Sequence, residues 1–152
     1  MRKIILGILI FFLFCLVGCT NTPKETEAEK NIKNVISLID TLPNASDITL
    51  DNEDLVYSVM ESYNNLPEVD KSKVTNYNKL FEAMNKIDLL NENQNSIREE
   101  IEELISELPN LNRINLNHRN MFEDILELLD ELTEFNKELV DGLDYFNKAY
   151  EE

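Results

Sequence analysis

From Ile32 onward, apolar residues recur three and four positions apart, the spacing that places them on one face of an α-helix. Ile32, Val35, Ile36, Ile39 and Leu42 form one such stripe. Leu55, Val56, Val59, Met60, Tyr63 and Leu66 form a second, and Val74, Tyr77, Leu80, Phe81, Met84 and Ile87 a third. The stripes return as Ile101, Leu104, Ile105 and Leu108, then Met121, Phe122, Ile125, Leu126 and Leu129, then Leu139, Val140, Leu143 and Phe146. Pro43 and Pro109 end the first helix of each set, because a residue before proline is pushed out of the α region. Thr49 and Asn115 are suited to cap the helices that follow. Pro67 turns the chain into the third helix, with Glu68 and Asp70 at its positive end.

The return has one register. Offset by 66 residues, 35–86 lie over 101–152 without a gap. Leu42-Pro43-Asn44 then faces Leu108-Pro109-Asn110, and Ile48 and Leu50 face Ile114 and Leu116. Glu61, Leu66, Glu68, Lys71, Val74 and Ala83 face identical residues at Glu127, Leu132, Glu134, Lys137, Val140 and Ala149. The pattern predicts an all-α protein built by duplication: one three-helix module over 32–90 and a second over 97–152. Short connections make each an up-down-up bundle of spectrin-like type. Between Glu68 and Leu108 there is neither Pro nor Gly, which favours a continuous or lightly kinked helix joining the modules. Asn91, Asn93 and Asn95, poor helix formers, weigh against it.

The first residues follow another pattern. Arg2 and Lys3 precede an apolar run from Ile4 to Leu16, which is shorter than the roughly 20 residues of a spanning helix and matches a secretory signal. The run ends in Leu16-Val17-Gly18-Cys19. This segment resembles the lipobox of bacterial lipoproteins. The resemblance implies cleavage after residue 18, a diacylglycerol thioether on Cys19 and further acylation such as palmitate. Cys15, preceded by Phe14 and inside the apolar run, is a poor competitor. Residues 1–18 are thus expected to be a signal peptide and 19–31, polar and without apolar period, a lipidated flexible tether. Acyl chains add about 0.8 kcal/mol per buried methylene, so the expected location is the extracytoplasmic face of the cell membrane, anchored and not spanning.

Charge narrows the partners. The chain carries 14 basic and 30 acidic residues, a net charge of −16; losing Arg2 and Lys3 with the leader leaves 12 basic residues and −18. Such a surface repels nucleic acid and favours a basic protein partner. The richness in Asn, Lys, Ile and Glu is that of an AT-rich genome and points to a Gram-positive bacterium. With Cys15 removed, Cys19 is the only cysteine, so no internal disulfide or cysteine metal cluster is expected.

The first module reads Val35-Ile36-x-Leu38-Ile39-x-x-Leu42-Pro43, Ile48-Thr49-Leu50, Tyr63-x-x-Leu66 and Lys71-x-x-Val74-Thr75-Asn76-x-x-Lys79-Leu80. It resembles a small three-helix module of surface-layer proteins, adhesins and modular secreted glycosidases of Gram-positive bacteria. The second module departs at Asp141-Gly142 and Tyr145-Phe146. The resemblance implies a spacer or interaction unit and brings no catalytic residues.

Site chemistry is sparse. Asp47, Asp51, Glu53 and Asp54 lack the alternation and central glycine of an EF-hand loop and suit a solvated helix start. His118 is the single histidine, too few for a usual zinc site. Glu99, Glu100, Glu102 and Glu103 lack the tryptophan platforms of a sugar cleft. Tyr57, Tyr145 and Tyr150 are not explained by the stripes, and Lys71 and Lys137 are the best-matched charges, expected to pair locally. No catalytic residue, cofactor, metal or small-molecule substrate is expected. The expected function is that of a non-enzymatic lipoprotein acting as a binding or spacer module; the alternative is an inhibitor or immunity lipoprotein against a secreted basic protein.

Overall fold

The computed structural model describes residues 25–151. It is all-α, with no strand among the described residues. Seven helices follow in order: α1 Glu27–Thr41, α2 Glu53–Asn64, α3 Glu68–Lys71, α4 Tyr77–Glu107, α5 Arg119–Glu131, α6 Glu134–Glu138 and α7 Leu143–Glu151. Two 3-10 turns, Ala45–Asp47 and Leu50–Asn52, link α1 to α2, and two more, Leu111–Arg113 and Leu116–His118, link α4 to α5.

Helix α1 begins earlier than the polar composition of 19–31 suggests. Thr26 and Glu29 form a capping box: the Thr26 N–H donates to Glu29 Oε2 at 2.8 Å and the Glu29 N–H to Thr26 Oγ1 at 3.2 Å. Two otherwise orphan amides are thereby satisfied. Residues 27–31 are therefore helix, and the expected tether is corrected at that end. The Thr-x-x-Glu signature stands in the sequence, but it precedes the first apolar residue of the stripe.

The third-helix expectation is also corrected. The chain after Pro67 forms only the short α3 and then turns through Ser72–Asn76 before α4. The Lys73 N–H donates to the Asp70 carbonyl at 2.9 Å and that of Val74 to Lys71 at 3.1 Å, closing tight turns. The core stripe of α4 is Leu80, Ala83 and Ile87, all fully buried. Extended backwards in helical register, that stripe would bury Lys73 and Asn76 and leave Val74 outside. The break lets Val74 turn in and become buried. Phe81, assigned to the stripe from its spacing, lies off the face that Leu80, Ala83 and Ile87 define and is 50% exposed. Leu55 and Leu139, also stripe members by spacing, are exposed as well.

Two hydrophobic clusters result. The first joins Ile32, Val35, Ile39 and Leu42 of α1 and its end to Val56 and Val59 of α2 and to Leu80, Ala83 and Ile87. The second joins Ile97, Ile101 and Ile105 to Phe122, Ile125 and Leu129 of α5 and to Phe146 and Ala149 of α7. Helix α4 runs unbroken through Asn91, Asn93 and Asn95 and serves both clusters. Its buried residues Leu80, Ile87, Gln94 and Ile101 lie seven apart, one seam along one helix, with the polar Gln94 between the two apolar stretches.

Boundaries recur at the same offset of 66. Helix α2 starts at Glu53 and α5 at Arg119, α3 at Glu68 and α6 at Glu134, α4 at Tyr77 and α7 at Leu143. The buried Val35, Ile39, Leu42, Val59, Leu66, Leu80 and Ala83 have buried counterparts in Ile101, Ile105, Leu108, Ile125, Leu132, Phe146 and Ala149.

Candidate functional site

The signal, the lipobox residues Leu16, Val17 and Gly18, and Cys19 lie outside the described residues. The other singled-out residues fall on helix ends and helix faces. Asp47 accepts from Ser46 Oγ at 3.2 Å, and Glu53 from Asn91 Nδ2 at 2.7 Å. These carboxylates serve local turns and a contact to α4. Among the described residues, no group of three or more His, Cys, Asp or Glu side chains converges to hold a metal.

Thr49 and Asn115 cap the 3-10 turns that lead into α2 and α5, a step earlier than helix capping predicts. The Thr49 N–H donates to Asn52 Oδ1 at 3.0 Å. At the equivalent place the Asn115 N–H donates to His118 Nδ1 at 3.2 Å. His118 thus takes the part of Asn52, a capping role that its spacing from Asn115 allowed and that the sequence reading missed.

Lys71 pairs with Glu68 at 3.0 Å and Lys137 with Glu134 at 2.9 Å, the same local pair in both halves. The Lys71 ammonium also lies 5.8 Å from the Tyr63 ring centroid, a cation–π distance. Tyr145 donates its hydroxyl to the Pro109 carbonyl and packs on the second cluster. Tyr150 stacks on Phe146, with centroids 6.1 Å apart, and remains half exposed. Burial, reinforced by the Glu53 and Asp88 carboxylates, pushes the Tyr57 phenol above its ordinary value.

Glu102 accepts from Arg98 at 3.2 Å and from the Asp141 N–H at 3.0 Å. Glu100 lines a shallow cleft between α4 and α5 with Asp124, Glu127 and Glu131. This cleft holds four carboxylates and no basic group.

Comparison of the chain with protein-family models, with curated proteins and with solved structures gives no match.

Two further concave surfaces belong to the region around α4 and to the α7 end. One, of about 430 Å³, lies where the halves meet and is lined by Leu50, Glu53, Asn91, Asn95, Phe135 and Leu139 among others. The other, of about 320 Å³, is lined by Ile114, Asn115, Leu116, Arg119, Phe122, Ala149 and Tyr150. Its apolar lining is joined by Arg119, whose guanidinium pairs with Glu123 at 2.7 Å. That pairing holds the Arg119 pKa above its ordinary value. Arg113 and Arg119 make 113–119 a basic segment in an acidic chain. No described helix is long and apolar enough to cross a membrane.

Proposed function

We propose that this protein is an extracytoplasmic lipoprotein, anchored through acyl chains on Cys19, in which two copies of one three-helix bundle act as a non-enzymatic spacer or binding module. Leu16-Val17-Gly18-Cys19 at the end of an apolar run carries the anchoring half of this reading. Helix α1 is capped at Thr26, so only the short segment 20–25 lies between the anchor and α1. The 66-residue recurrence of helix starts and buried positions supports the reading of two copies. Each copy would contribute one apolar cluster, and α4 would carry the seam through both. The acidic exterior keeps such a module away from anionic lipid head groups.

The experiment compares wild-type chain with Cys19→Ala in the exporting cell. Wild type is expected in the membrane fraction, shortened by its leader. Cys19→Ala is expected as full-length precursor or as released protein. Equal membrane recovery and equal processing of both would sink the anchoring. As a test of binding against spacing, the mature chain serves as bait for envelope and culture-fluid proteins; recovery of no partner favours the spacer.

A second reading, an inhibitor or immunity lipoprotein against a secreted basic protein, is favoured by the cleft of Glu100, Asp124, Glu127 and Glu131. In that case a deletion strain becomes sensitive to the toxin encoded beside the gene, and a strain with unchanged sensitivity excludes it.

A further inference from the structure

The groove of about 430 Å³ where the halves meet has two unlike sides. The first half supplies Asp51 and Glu53, from the start of α2 and the turn before it. The second supplies Phe135 and Leu139, from α6 and its end. One turn of α4 fixes both sides: Asn91 Nδ2 donates to Glu53 Oε1 at 2.7 Å, and Gln94 Oε1 accepts the Thr133 N–H at 2.8 Å. The groove is therefore pre-formed and need not be ordered by whatever enters it. Phe135 is 69% and Leu139 48% exposed. No basic side chain lines the groove, and among the described residues neither Asp51 nor Glu53 has an ion-pair partner. Lys137, the basic residue of α6, is held by Glu134.

Neither side is demanded by the helices that build it. At the offset of 66, Asp51 and Glu53 correspond to Asn117 and Arg119, although α2 and α5 begin at matching places. A helix start here thus does not need the acids that would suit its dipole. Leu139 corresponds to Lys73, which pairs with Asp70 at 2.7 Å; in the second half Leu139 and Asn136 stand in place of that ion pair. We infer that the groove docks a basic amphipathic helix of a partner protein, presenting an arginine and a bulky apolar residue three or four positions apart. Residues so spaced are neighbours on one helix face. One then meets the carboxylates while the other covers Phe135 and Leu139. Arginine suits this place better than lysine, because its planar fork bonds carboxylates with paired N–H contacts and stacks on aromatic rings. The cleft of Glu100, Asp124, Glu127 and Glu131 offers charge without an aromatic ring, and a second copy of the chain, at net charge −16, is repelled by the same carboxylates. This partner class deepens the binding role proposed above, on which it rests.

The probe is an alanine-based peptide of about 16 residues, long enough to be helical, with Leu and Arg four positions apart. It is titrated into the full chain in zwitterionic detergent, with amide shifts followed by NMR. Saturable binding is expected, with shifts centred on Leu50, Phe135 and Leu139. The same peptide with Glu in place of Arg should bind about tenfold more weakly or worse, since an attraction becomes a repulsion. Leu139→Lys and Asp51→Asn install the residues that the other half carries at the same places, Lys73 and Asn117, so both variants are expected to fold. Leu139→Lys should abolish saturable binding. Asp51→Asn should weaken the Arg peptide about threefold and leave the Glu peptide no weaker. Equal binding of the two peptides, shifts centred on Asp124 and Glu127, or binding unchanged by Leu139→Lys overturns the inference. So does a concentration-dependent change at Phe135 and Leu139 without peptide, which would assign the groove to a second copy. The titration needs neither the Cys19 anchor nor a natural partner, so its failure is distinct from a failed fractionation or an empty pull-down.

Discussion

The carboxamide oxygen of Gln94 accepts the backbone N–H of Thr133 at 2.8 Å, which ties the midpoint of α4 to the start of α6. The same side chain donates to the Glu131 carbonyl at 3.0 Å and accepts from Asn136 Nδ2 at 3.3 Å. Gln94 is 7% exposed, and its polar capacity is used in holding the α5–α6 corner. Its counterpart at the offset of 66 is Ala28, so this tie exists only in the second half.

Gln94→Leu keeps the seam apolar and leaves the Thr133 N–H and the Glu131 carbonyl without their partner. Stranding such part-buried backbone groups costs up to about 1–3 kcal/mol. The expected result is a loss of that size in urea-unfolding free energy, with faster amide exchange at Thr133 in hydrogen-exchange NMR. Unchanged exchange at Thr133 would show that the tie contributes nothing.

Gly142 sits at φ +82°, in the left-handed region, and a Cβ there would lie 2.9 Å from Ile105 Cγ2. Gly142→Ala meets both the backbone strain and the contact, and destabilisation of about 1–3 kcal/mol is expected. The first half tolerates Asn76 at the same place because its backbone is at φ −105° and its Nδ2 donates to the Ile36 carbonyl at 2.9 Å. Gly142→Asn is therefore expected to destabilise as well, although Asn is the natural counterpart. Chemical denaturation of both variants checks this.

Ile87 and Ile101 are each fully buried, on either side of Gln94. Truncation of either to Ala removes about 2–5 kcal/mol. Ile87→Ala should loosen the first cluster and Ile101→Ala the second, with residue-resolved hydrogen exchange separating the two patterns. Uniform loosening of both clusters by either change would show one cooperative unit instead.

The Thr26 hydrogen bonds, backbone first, hold the Glu29 carboxyl below its ordinary value of 4.5. A group whose folded pKa is depressed stabilises above its unfolded value and loses that contribution as pH falls through the folded one. The first turn of α1 is therefore expected to be intact at neutral pH and to fray as the solution is taken below pH 4.5. Thr26→Ala should fray at neutral pH already. Amide chemical shifts of Glu29 and Lys30 across a pH titration of both chains decide it.

Much of the fold is legible along the chain, because helical periodicity and proline stops act locally. The offset of 66 residues, the end of α1 before Pro43 and the apolar face of α1 follow from residue order alone. The Lys71–Glu68 and Lys137–Glu134 pairs follow too, since residues three apart on a helix are neighbours. The groove at Leu116 was not legible. An exposed leucine and a buried one have the same periodicity, and only the path of a neighbouring helix tells them apart.

Residue order by itself thus determined an all-helical chain with a recurring pattern and an acidic net charge, since each depends on composition or on contacts within a turn or two. Tertiary structure decided which stripe residues are buried, where the third helix breaks to admit Val74, and which polar side chain ties α4 to α6. Those outcomes depend on partners such as Gln94 and Thr133, 39 residues apart. Burial is a competition among faces for limited interior space, and the chain records that competition only once it is folded.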